Sequence, residues 1–110
     1  MNLVTEAGDV ALHFNPRYSP TGGYLVLNTG AIHGGWHNEI HPAGYPFPAS
    51  NVRTRVTARI TVQANGFLIS GNGINIAHFP YRAGLSYNTV RHITWITPAN
   101  TILESMKVTY

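Results

Sequence analysis

Three stretches decide the fold: His13-Phe14-Asn15-Pro16-Arg17-Tyr18, Tyr24-Leu25-Val26-Leu27-Asn28 and Gly34-Gly35-Trp36-His37-Asn38-Glu39. Side chains of a strand alternate between its two faces. Read as a strand, the first run sends Leu12 and Phe14 into a core and leaves His13, Asn15 and Arg17 together on the other face. The second run, read the same way, sets Asn28 on the face opposite Leu25 and Leu27. Gly34 and Gly35 suggest a loop that exposes Trp36, with Glu39 close behind it. A row of hydrogen-bonding side chains beside one aromatic plate suits a sugar. The plate covers ring C–H groups, and the polar row tests the orientation of each hydroxyl.

Outward from these stretches the chain continues to read as strands and turns. Residues 1–5 resemble the end of a strand and 6–9 a turn. Residues 10–18 form the first strand described above, where Pro16 fits only a bulge, an edge or an end. Residues 19–23 are a loop, 24–29 a strand, and 30–36 turn back. Residues 37–50 contain Pro42, Gly44, Pro46 and Pro48, which makes them an irregular connection. Across 52–63, Arg55, Thr57, Arg59 and Thr61 alternate with Val56, Ala58, Ile60 and Val62, the pattern of a half-buried strand. Asn65-Gly66 and Asn72-Gly73 are dipeptides favoured in two-residue hairpin loops, and strands over 67–70 and 74–79 follow them. Residues 82–87 connect to two final strands, 90–97 and 102–110, separated by Pro98-Ala99-Asn100. Met106, Val108 and Tyr110 would share one face of the last. Helical periodicity of useful length is absent. The expected fold is all-β, an antiparallel jelly-roll β-sandwich.

A length of 110 residues allows one domain with one core. The 11 glycines and 7 prolines fit many strands joined by turns. No apolar run is long enough to span a bilayer, and no N-terminal signal segment is expected. Zero cysteines excludes disulfides and thiolate metal sites. The formal net charge of +3 draws on Arg53, Arg55 and Arg59. Aromatics do not interleave with them, which favours a solvated strand face over a nucleic-acid surface. His33, His37 and His41 recur every fourth residue and would align as metal ligands on a helix. Gly34, Gly35 and Pro42 oppose a helix there, so no metal or cofactor is expected. Of the acids Glu6, Asp9, Glu39 and Glu104, only Glu39 belongs to the polar row. Glycoside hydrolysis needs a spaced carboxylate pair, so an enzyme is not expected.

The run His13 to Tyr18, Asn28, and Trp36 with Glu39 resembles the sugar-binding signature of galectins, the β-galactoside-binding lectins. Tyr45-Pro46-Phe47-Pro48 and His78-Phe79-Pro80-Tyr81-Arg82 resemble further landmarks of that family, so the resemblance covers nearly the whole chain. It implies that His13, Asn15 and Arg17 hold the axial 4-hydroxyl of galactose, that Asn28 and Glu39 take the 6-hydroxyl, and that Trp36 stacks on the less polar sugar face. It also implies that Glu39 holds Arg17 in place. His41 stands where galectins typically carry arginine, and His37 where glycine typically follows the tryptophan. His41 could do part of the arginine's work when protonated. Galectin domains usually have additional strands ahead of the one leading into His13. Three readings follow: a fragment of a longer protein, a shortened natural variant, or a gap filled by neighbouring molecules. The favoured expectation is a single, shortened carbohydrate-recognition domain over 1–110 whose open edges favour a homo-oligomer. The implied ligands are lactose or N-acetyllactosamine-type β-galactosides on glycoproteins or glycolipids. The implied location is the cytoplasm or, by a non-classical route, the exterior. The alternative is a galectin-fold protein-interaction module with weak or lost sugar binding.

Overall fold

The computed structural model of the protein describes residues 1–17, 22–44, 55–96 and 102–107. Among the described residues, eight strands form two antiparallel sheets: β1 (Asn2–Thr5), β2 (Val10–Arg17), β3 (Tyr24–Ala31), β4 (Gly35–Trp36), β5 (Ala58–Gln63), β6 (Gly66–Gly71), β7 (Ile74–Pro80) and β8 (Val90–Thr94). One sheet runs β4-β3-β2-β1-β8 and the other β5-β6-β7. Leu3, Leu12, Phe14, Leu25 and Leu27 from the first meet Phe67, Ile69 and Phe79 from the second in one buried cluster. The alternation expected in β2 is present: Leu12 and Phe14 are buried, while His13, Asn15 and Arg17 lie on the other face. The irregularity in the β2–β3 register between Val10 and His13 accompanies the burial of both Ala11 and Leu12, which strict alternation would not allow.

Several boundaries differ from expectation, each for a local reason. The Asn72-Gly73 turn stands as expected, with positive φ at both residues (49° and 82°) and Gly71 paired with Ile74. The other hairpin turns one residue earlier, at Ala64-Asn65, and Gly66 is already paired with Gln63. Gly66 serves packing rather than the turn. A Cβ there would lie 2.4 Å from the carbonyl oxygen of Phe79 and 2.8 Å from the His78 ring.

Of the strand expected over 52–63, residues 52–54 lie outside the described residues, 55–57 are not in a ladder, and β5 covers Ala58–Gln63. Its partner β6 ends at Gly71, and Thr57 is instead held by the turn, bonded to the backbone N–H and side-chain oxygen of Asn72. Residues 102–107, the described part of the strand expected over 102–110, form no strand. They lie exposed, with Glu104 paired to Arg55 at 2.7 Å. Arg55 itself precedes β5, so this segment sits past the end of that ladder. A short 3-10 turn, Tyr87–Thr89, leads into β8, which stops at Thr94. Tyr18, the Tyr45–Pro48 landmark, Arg53, Pro98-Ala99-Asn100, Val108 and Tyr110 lie outside the described residues.

Truncating Phe14, which is only 2% exposed in the middle of the cluster, removes contacts with both sheets. Phe14→Ala is expected to cost about 3–5 kcal/mol, read as a lowered urea midpoint at unchanged m-value.

Candidate functional site

The pairing of β2 with β3 sets His13 opposite Asn28, Asn15 opposite Val26 and Arg17 opposite Tyr24. On the far side of β3, Gly30 pairs with Trp36. Residues paired across a sheet share a face, so the polar row and the indole stand side by side. They line an open groove of about 370 Å³ with His37, Asn38 and Glu39. The indole rests directly on Gly30: a Cβ there would lie 2.8 and 2.9 Å from Cε3 and Cζ3. Only glycine lets the ring lie this close to the strand. Trp36 stays 56% exposed, and the His13 ring packs on it at 4.6 Å with a 45° tilt.

The contact at His13 selects a tautomer. Its Nδ1 is 2.6 Å from Asn2 Oδ1. An amide oxygen only accepts, so Nδ1 donates here, and in the neutral ring Nε2 keeps a lone pair. Burial, and then the nearby N-terminal ammonium and Arg17, hold the His13 pKa below the usual 6.5, with Glu39 opposing them. A neutral imidazole with Nε2 free is a hydrogen-bond acceptor.

Glu39 is held from two sides, by Arg17 Nη2 at 3.7 Å and His41 Nε2 at 2.9 Å. These exposed contacts contribute little stability, yet they keep the carboxylate at the groove. His41 reaches the site through Glu39 rather than as a groove wall, with its ring 5.2 Å from that of Tyr24. Asn15 lies on the same face as His13 and Arg17 but lines a neighbouring depression of about 220 Å³ with Asn2, Thr94 and Ile96.

Asn28 is the most enclosed member of the row, at 4% exposure. Its Nδ2 donates to the His37 carbonyl (3.0 Å), and its Oδ1 accepts from the Thr29 N–H (2.8 Å) and from Arg82 Nη1 (3.2 Å). The same Arg82 nitrogen donates to the Asn38 carbonyl at 2.7 Å, and its guanidinium lies 4.6 Å over the Phe79 ring. Sequence reasoning gave no role to Asn2, Gly30 or Arg82. Arg82 closes the His78–Arg82 run already noted; Asn2 carried no signal before its register with His13 was visible.

The galactoside-binding lectin family model matches residues 1–97. The chain belongs to that family. Human Galectin-12 is 34% identical over 80 residues, which is 72% of this chain and 22% of that protein. A solved tetrameric galectin from the ball sponge Cinachyrella sp. superposes with a TM-score of 0.70 at 38% identity, over 77% of this chain and 60% of that one. The chain thus spans about a fifth of the human relative and three fifths of the sponge protein. This likeness bears out the jelly-roll sandwich. Galectins are non-catalytic lectins, and this family member is not an enzyme.

The lowered His13 pKa has a consequence for stability. The unfolded chain takes up a proton near the usual 6.5, and the folded chain only at lower pH. Between the two values the unfolded state binds more protons, so stability rises with pH there. The neutral ring's contribution is complete above about pH 6.5 and is lost as the pH falls through the folded value. An NMR titration of the His13 ring is expected to give a midpoint below 6.5, and His13→Gln to flatten that part of the stability profile.

Proposed function

We propose that the chain is a single carbohydrate-recognition domain that binds β-galactosides of the lactose or N-acetyllactosamine type and performs no catalysis. The observation that carries this reading is the indole of Trp36 laid on Gly30 beside His13, with Arg17, Asn28 and Glu39 on the same open groove. Trp36 covers the apolar face of the galactose. His13 Nε2 accepts from the axial 4-hydroxyl, Arg17 donates to it, and Asn15 completes that side of the row. Asn28 and Glu39 meet the 6-hydroxyl, and His41 supports Glu39 from behind. In glucose the 4-hydroxyl is equatorial and the row goes unpaired, at about 1–3 kcal/mol per buried group.

The groove is shallow, and a disaccharide at about 0.3 kcal/mol per heavy atom reaches only about −7 kcal/mol. Monovalent affinity is then micromolar at best, and useful avidity on glycoproteins or glycolipids requires several linked sites. A homo-oligomer supplies them. The sponge relative is described as tetrameric. Among the described residues Ile93 of β8, at the edge of its sheet, is 41% exposed although it pairs with core-facing Leu3. Among the described residues no helix is long and apolar enough to cross a membrane. The proposed location is the cytoplasm or, after non-classical export, the cell exterior.

Calorimetric titration is expected to show lactose binding at least about tenfold tighter than cellobiose, with Trp36→Ala reducing lactose binding below detection. A lactose-silent wild type that is folded would favour the protein-interaction alternative. Sedimentation equilibrium at tens of micromolar is expected to show a species larger than the monomer; a clean monomer would remove the oligomer.

A further inference from the structure

We propose that Arg82, a residue outside the groove wall, closes the remaining acceptor of Asn28, anchors the segment beside it, and so makes the groove select for a hydroxyl at galactose position 6. The inference rests on the galactoside reading above. Arg82 follows β7 in the opposite sheet, and its guanidinium lies over Phe79, a member of the buried cluster. The core therefore fixes where its Nη1 ends up.

The hydrogen-bond count at Asn28 shows what that nitrogen does. An amide oxygen has two lone pairs and an amide nitrogen two protons. Both Oδ1 lone pairs are used, one by the Thr29 N–H and the other by Arg82. One Nδ2 proton goes to the His37 carbonyl, which leaves a single N–H to face the groove. With Arg82 in place, Asn28 can only donate. The carboxylate of Glu39, on the same groove, can only accept. A hydroxyl that receives from Asn28 and gives to Glu39 satisfies both. A methyl group satisfies neither and strands a buried N–H. Without Arg82, the second lone pair of Oδ1 reopens, water can occupy it, and the donor-only character is lost. The bond from Arg82 to the Asn38 carbonyl acts in the same sense, since Asn38 lies between Trp36 and Glu39 and spaces them. Thr29 and His37 already set which way the amide faces; Arg82 closes its remaining acceptor and anchors the segment beside it.

The test compares lactose with lactose lacking the galactose 6-hydroxyl, in the wild type, Arg82→Met and Arg82→Lys. In the wild type the deoxy sugar is expected to bind about tenfold more weakly. In Arg82→Met that ratio falls to about twofold, while the preference for lactose over cellobiose persists. Arg82→Lys restores part of the ratio, because an ammonium can still donate to Oδ1. Methionine fills space over Phe79 as well as lysine does, so a role in packing alone predicts no difference between the two variants. An unchanged deoxy-sugar ratio in Arg82→Met overturns the proposal. If the wild type binds no galactoside, the lectin reading falls separately. The Asn28 side-chain amide protons, followed by NMR without sugar, then decide the positioning claim. Faster exchange in Arg82→Met than in Arg82→Lys supports it, and identical exchange in all three proteins overturns it.

Discussion

Burial on one face of the β2–β3 pair holds the other face in register. Leu12 and Phe14 of β2 and Leu25 and Leu27 of β3 are all in the core. A slip of one residue would turn each of them to water, at about 1.5–3 kcal/mol per side chain. The pairing of His13 with Asn28 and of Arg17 with Tyr24 is therefore not adjustable on its own. The polar row inherits its spacing from apolar residues that never touch a ligand.

On that rigid pair the site is completed by contacts of unequal strength. The indole is held by close approach: Gly30 leaves the room, and the pairing of Gly30 with Trp36 puts the ring there. Glu39 is held by an exposed ion pair with Arg17, weak and screened by salt, and by an exposed hydrogen bond with His41. Asn28 is held by enclosed hydrogen bonds, which are costly to break because a buried polar group would lose its partner. The groove thus has a fixed wall and floor, formed by Trp36, His13 and Asn28, and a softer rim at Arg17, Glu39 and His41.

The chemistry follows from donors and acceptors fixed in advance. Asn2 assigns the proton of His13, and the Asn28 amide is assigned by its own neighbours. In the proposed function such a site distinguishes hydroxyls by their direction, through fixed donors and acceptors. It needs no bond-making group, in keeping with a family of non-catalytic lectins.

The sequence by itself determined the two-faced strands, the Asn72-Gly73 turn, the sandwich class and the residue types of the polar row proposed to bind sugar, because period-two alternation and turn chemistry are local properties. It misjudged the ladder ends. The strand expected over 102–110 is absent from its described part, 102–107, which pairs with no ladder among the described residues, and Gly66 looked like a turn residue while serving a contact with β7. Only the tertiary structure decided which strands are neighbours, and with that the roles of Asn2, Gly30 and Arg82. Asn2 meets His13 through the β1–β2 register, Gly30 meets the indole through β4, and Arg82 crosses from the other sheet. Contacts between residues distant in sequence depend on how the sheets pair and stack, and no local pattern encodes that.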